Sequence, residues 1–405
     1  MRIVLTVGCV LLAGCLVTID DSRWKQDAGV DQQGEVDSIQ KIDGDTDGPG
    51  PDSSPDGPKP DGPKPDGPKP DGPKPDGPKP DGPQPDGPKP DGPKPDGPQP
   101  DGPKPDTTVD TAPPPDLPPL TDTGGCVWSK VGSPTTKTLN GVWGSAVNDF
   151  WAVGESGTVI RYAGGSGWSV FPSNTGTTLL AASGTSASDV WAAAYGGDVV
   201  HYNGILWSQS STPAKKGIFG VWADSPSNVW AVGAGGDIVH YTGSWSQPAS
   251  PTGTNLMAVW GSAAQDVWAA GGNDVLHYAG SWSTTSVPLT FDNIFAIHGR
   301  AANDVWFVGD ASGAAFAMRH DGTGWLPKSP PGPSTTLNGV WVSDTGRVFA
   351  VGESGASGVV YHFDGSTWSD VTPSSVSRLN AVWGTSDCDV WAVGEGGTLV
   401  HLGPP

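Results

Sequence analysis

Four cysteines and three methionines are all the sulfur in 405 residues, and Lys plus Arg total 22 against 43 Asp plus Glu. From Cys126 onward the balance is ten cations to nineteen acids. A nucleic-acid surface concentrates Lys and Arg to displace counterions, so this composition excludes that class. The same scarcity leaves no basic patch for anionic lipid. No run of eighteen apolar residues occurs, which removes a membrane-crossing helix. Also missing are a G-x-S-x-G nucleophile elbow, an H-E-x-x-H pair, a phosphate loop and a credible dinucleotide fingerprint. No cofactor is expected, and no catalytic residue stands out.

What is present falls into three parts. Residues 1–15 run from Met1-Arg2 through a short apolar stretch to Leu12-Ala13-Gly14-Cys15. Such a stretch is too short for a mature membrane helix and reads as an export signal. Its end closely resembles the bacterial lipobox, in which the cysteine becomes the acylated first residue after cleavage. By that resemblance Cys15 carries lipid and holds the protein at a bacterial cell envelope, at the outer membrane. Several acyl chains make such anchoring stable. The alternative is an ordinary cleaved signal with incidental cysteines.

Residues 16–125 are polar, and from Pro55 the unit Pro-Asp-Gly-Pro-Lys repeats ten times to Lys104, with Gln at positions 84 and 99. The repeats have no large apolar side chain to bury, which predicts a disordered tether. Proline blocks helix and ladder pairing and favours extended segments, with Asp-Gly as turn points. At roughly 3 Å per residue, the repeat block reaches on the order of 150 Å when extended. Recognition by proline-binding modules is the rival reading.

Residues 126–405 hold eighteen of the nineteen Trp residues and one motif repeated seven times. Two well-formed copies are L-N-G-V-W-G-S-A-V-N-D-F-W-A-V-G from Leu139 and L-N-A-V-W-G-T-S-D-C-D-V-W-A-V-G from Leu379. Copies also start at Leu179, Ile218, Leu256, Ile294 and Leu337, giving steps of 40, 39, 38, 38, 43 and 42 residues. A period near forty with several short β-rich runs predicts propeller blades. Each copy supplies a first strand (L-N-G-V-W-G), a second (D-V-W-A-V-G), a third (V-V-H-Y) and a fourth that opens on Trp-Ser. The fold class is therefore all-β, a seven-bladed β-propeller with four-stranded blades.

The seventh copy stops before its Trp-Ser strand, and Val127-Trp128-Ser129 precedes the first copy. That segment is expected to complete the last blade and close the ring. Cys126 precedes this strand and Cys388 sits in the first turn of blade 7, two places that share one face. A disulfide between them is predicted, spanning 262 residues, with two reduced thiols as the alternative. An exported protein meets the oxidising conditions required.

Five of the seven His residues, His201, His240, His277, His362 and His401, occupy one strand-three position. Each falls on a different blade, too far apart to share a metal ion, so no metal site is expected. A structural hydrogen bond within each blade is expected instead, with His298 and His320 outside the series. Glu155, Asp310, Glu353 and Glu395 recur between the second and third strands, and Tyr195 is the one aromatic departure there. These five are the candidate ligand-binding residues; solvated turns are the plainer reading of the acids.

The string V-W-G-S…D-V-W-A-V-G…H-Y…W-S resembles repeats of bacterial secreted and lipoprotein propellers, within the broad WD-repeat, Asp-box and kelch-like grouping. Ser183 and His298 depart from it at the first-strand Trp, and Phe349 at the second. The H-Y-x-G-x-W turn is not an Asp-box, so sialidase chemistry is not implied. The expected function is that of an envelope-displayed binding or scaffold protein, recognising a protein or glycan through a loop face. The alternatives are a polysaccharide hydrolase or lyase using acids at the channel mouth, and an envelope spacer without a ligand.

Overall fold

The computed structural model describes residues 125–332 and 334–404, which form twenty-eight strands in seven four-stranded antiparallel sheets. The leader, Cys15 and the tether through residue 124 lie outside the described residues. Six sheets follow chain order: 139–171, 179–210, 218–246, 258–284, 293–327 and 335–370. Blade 7 takes three strands, Leu379–Ser386, Asp389–Gly394 and Leu399–Gly403, from the end of the domain, and Val127–Val131 from its start. Trp128 lies opposite Leu402 and Lys130 opposite Val400. The ring is closed by this shared blade. Cys126, next to the closing strand, is disulfide-bonded to Cys388, with Cα atoms 5.8 Å apart.

The repeated residue types follow from a strand's place between two neighbours. Second strands such as Asp149–Gly154 and Asp389–Gly394 are buried at every residue, because both faces are covered by adjoining blades. First strands pack against one another around the axis, and there the small positions are explained. A Cβ added to Gly141 would lie 2.8 Å from the Cα of Ala181, and one on Gly339 would lie 3.0 Å from the Cα of Ala381.

Farther out, each second-strand aromatic ring fits into a corner of the next blade. Trp151 meets Tyr202 and Trp207 at 4.8 and 5.5 Å, and Trp230 meets Tyr278 and Trp282 at 4.7 and 5.3 Å. Trp391 of blade 7 meets Tyr162 and Trp168 of blade 1 at 5.0 and 5.1 Å. Phe349 of blade 6 meets Trp128 of the closing strand at 6.2 Å. Tilted and edge-on aromatic pairs of this kind combine large apolar burial with favourable quadrupole geometry.

Within blades 2, 3, 4 and 7 the strand-three histidines bond to the residue that starts the second strand. His362 of blade 6, where Arg347 takes that place, departs from the expectation, its Nε2 having no partner among the described residues. His201, His277 and His401 reach Asp189, Asp266 and Asp389 at 2.7, 2.6 and 2.8 Å, and His240 reaches Asn228 at 2.6 Å. Each ring stacks on the blade's second-strand Trp, as His240 does on Trp230 at 3.7 Å. Blade 1 substitutes Arg161, paired with Asp149 and lying 4.6 Å over Trp151. These contacts tie the strands of single blades together, a structural role.

A second rule joins successive blades. The first-strand Trp of one blade lies across the first strand of the next, where the facing residue is Gly. A Cβ on Gly184, Gly261, Gly299 or Gly384 would approach Trp143, Trp222, Trp260 or Trp341 to 2.6–2.8 Å. The fifth ring, Trp383, donates its indole N–H to the carbonyl of Gly144 at 3.0 Å. In the two blades that lack this Trp, the facing Gly is absent too. Ser183 accepts the Ala223 N–H at 3.1 Å, and His298 accepts the Val342 N–H at 3.0 Å. Gly261→Ala is expected to cost about 1–3 kcal/mol by overpacking against Trp222. In a Trp222→Ser background the same substitution should cost less, only the 2.9 Å approach to the Asp266 carbonyl remaining. Urea unfolding of the four proteins of this cycle measures the coupling; additive effects would refute it.

Candidate functional site

The antiparallel order puts two kinds of connection on opposite faces. Turns between strands one and two share a face with those between three and four. The loops between strands two and three share the other face with the connections between blades. Glu155, Tyr195, Asp310, Glu353 and Glu395 all lie on this second face, spread over five blades.

Most of the acids there hold the connections. Glu155 accepts the Thr138 N–H at 3.0 Å, Asp310 accepts from the Asn293 amide at 3.0 Å, and Glu353 pairs with Arg378 at 3.4 Å. Glu395 is exposed, and Tyr195 is 38% exposed. No group of three His, Cys, Asp or Glu placed to hold a metal ion occurs among the described residues.

The opposite face carries a cavity of about 620 Å³, where the first strands of blades 5, 6 and 7 end and turn. Its wall runs through His298 and Arg300, then Trp341 to Thr345, then Trp383 to Cys388. Here the repeat breaks its own rules. His298 replaces the first-strand Trp, Val342 the facing Gly, Arg300 a position that is Ser or Thr in five other blades, and Arg347 the second-strand Asp. Cys388 brings the ring-closing disulfide to the same wall.

Most of the charges around this cavity are matched. Asp304, 2% exposed, takes Arg300 Nε at 2.5 Å on one oxygen and Arg319 Nε at 2.6 Å on the other. Asp387 pairs with Arg347 and accepts the Thr345 hydroxyl at 2.8 Å. Asp344 is exposed; its backbone carbonyl accepts from Arg300 at 3.4 Å, while its carboxylate has no partner among the described residues.

His298 is 8% exposed, and burial lowers its pKa from 6.5 to about 3. The ring is therefore neutral. Nδ1 accepts the Val342 N–H, so the proton sits on Nε2, and no described residue accepts it. Burial likewise lowers the pKa of His362, with the charge of Arg347 acting in the same direction.

Sequence reasoning did not find the cavity, and of its residues singled out only His298, as an outlier, and Cys388, as a disulfide partner. The signal was present in the repeat: His298 and Val342 depart together, 44 residues apart.

No protein-family model matches this chain, and no curated protein matches its sequence. Solved structures do match in fold. YCF48 bound to D1 peptide is 16% identical with a TM-score of 0.57, over 71% of this chain and 100% of that one. A catalytically inactive virginiamycin B lyase from Staphylococcus aureus with quinupristin is 12% identical, TM-score 0.61, over 69% and 99%. The WD40 propeller domain of Doa1 is 11% identical, TM-score 0.58, over 69% and 97%. At these identities the likeness shows the propeller architecture.

Proposed function

We propose that this chain is a lipid-anchored binding or scaffold protein of the bacterial envelope, displayed on its Pro-rich tether, which holds a protein or glycan ligand at the cavity of blades 5–7. One observation carries the reading: four departures from the repeat, His298, Arg300, Val342 and Arg347, gather around a single cavity, while the Ser183–Ala223 departure lies outside it. Fold alone would not support it, since propellers serve many functions. Among the fold relatives, the YCF48 structure with a D1 peptide is a binding precedent. The lyase keeps the enzymatic alternative, a hydrolase or lyase acting on polysaccharide, in view. Against that alternative, Glu155, Asp310 and Glu353 are engaged in holding connections.

Envelope capture tests the reading. Immobilised full-length protein should retain an envelope component unaltered in mass. Ser386→Arg, which places a large side chain at the cavity wall, should reduce capture about tenfold or more, while Glu155→Ala and Glu395→Ala leave it unchanged. Release of cleaved polysaccharide, or loss of capture only in the two Glu variants, would favour the enzymatic alternative. Labelled palmitate should enter the wild-type chain and not Cys15→Ser.

A further inference from the structure

We infer that the cavity of blades 5–7 takes an uncharged sugar, its hydroxyls read by the His298 Nε2–H as donor and the Asp344 carboxylate as acceptor. The inference rests on the binding reading above and names its ligand class.

The cavity offers two uncommitted polar groups of opposite sense. His298 presents an N–H with no acceptor among the described residues, on a ring that is 8% exposed and held by the Val342 N–H. Asp344 presents a carboxylate with no described partner. The other polar side chains are already engaged. Thr385 donates to Asp389, Ser343 and Thr345 bond to each other at 2.9 Å, and Ser386 accepts the Cys388 N–H at 3.3 Å. A ligand that satisfies both groups supplies an acceptor to one and a donor to the other. A pair of hydroxyls does this, since each hydroxyl is both.

Charge narrows the class further. Arg300 is paired with Asp304 and Asp387 with Arg347, so the Asp344 carboxylate is the one charge on the wall without a counter-charge. An anionic ligand would meet the bare Asp344 carboxylate on a domain with nineteen acids and ten cations. A cationic ligand would suit Asp344, but it would face Arg300 on the same wall and leave the His298 N–H unanswered. Half-buried Trp383 supplies an apolar ring beside these groups, suited to the C–H face of a sugar. At about 620 Å³ the space lies within the range of small-ligand sites.

Calorimetric titration of the full-length protein tests this. The probes are neutral trisaccharides ending in glucose, galactose, mannose or N-acetylglucosamine, with glucuronate-ended and glucosamine-ended counterparts. At least one neutral probe should bind, and its charged counterparts about tenfold or more weaker. Asp344→Asn, at an exposed turn where folding is not at risk, should weaken binding about tenfold or more, and so should His298→Phe. Binding to no neutral probe, equal binding of a charged counterpart, or an unchanged Kd in Asp344→Asn would overturn the assignment. If the sugars fail while Ser386→Arg still blocks envelope capture, the sugar class falls and the binding reading stands.

Discussion

Replacing Cys126 and Cys388 together by serine should lower the unfolding free energy by about 5–6 kcal/mol, the loop-entropy expectation for so distant a pair. The bond spans 262 residues and joins the two ends of the domain inside one blade. Without it, the closing strand Val127–Val131 is held by its ladder with Leu399–Gly403 and by the Trp128–Phe349 contact. It is an edge strand of the ring, and fraying there exposes both blade 7 and the Phe349 side of blade 6. Urea unfolding of wild type and double variant measures the difference, and reduced wild type should match the variant. Because Cys388 also lines the cavity, ligand capture should weaken alongside stability. Equal midpoints for oxidised and reduced protein would contradict this account of closure.

The second large effect is acid lability arising at His298. Its folded pKa, about 3, lies below the ordinary 6.5, because burial disfavours the imidazolium. The unfolded chain therefore takes up the proton first as the pH falls. The stability at stake is fully present above about pH 6.5 and is lost progressively down to about pH 3. For a group this buried the difference is on the order of 4 kcal/mol. His298→Phe should be less stable near neutrality, since the Val342 N–H loses its acceptor. Its stability should nonetheless fall less steeply between pH 6.5 and 4. Unfolding free energies measured across that range decide the point; parallel curves for the two proteins would count against it.

Much of the architecture was legible because the repeat acts as an internal alignment. The forty-residue step, the small first-strand residue at Gly141 and its equivalents, and the orphan Val127-Trp128-Ser129 segment led to the ring and its closure. The Asp–His bond of blades 2, 4 and 7 was also within reach, since both residues recur at fixed positions. Partners were harder to see. Glu353 looked like a free loop acid because its Arg378 lies in the next inter-blade connection, 25 residues on. The cavity was hidden for a related reason. It is made by what blades 5 and 6 lack at the ends of their first strands, and no single motif displays it. Only the paired departures, Ser183 with Ala223 and His298 with Val342, betray that a ring is missing, and they become readable once each Trp is known to lie on the next blade's Gly.

The decisive experiment restores the repeat at this sector. His298→Trp with Val342→Gly rebuilds the ring-on-glycine packing of Trp260 with Gly299 and fills the cavity. The account predicts a folded protein at least as stable as wild type that no longer captures the proposed envelope ligand. Undiminished capture by this stable, cavity-filled variant would place the binding site elsewhere on the propeller.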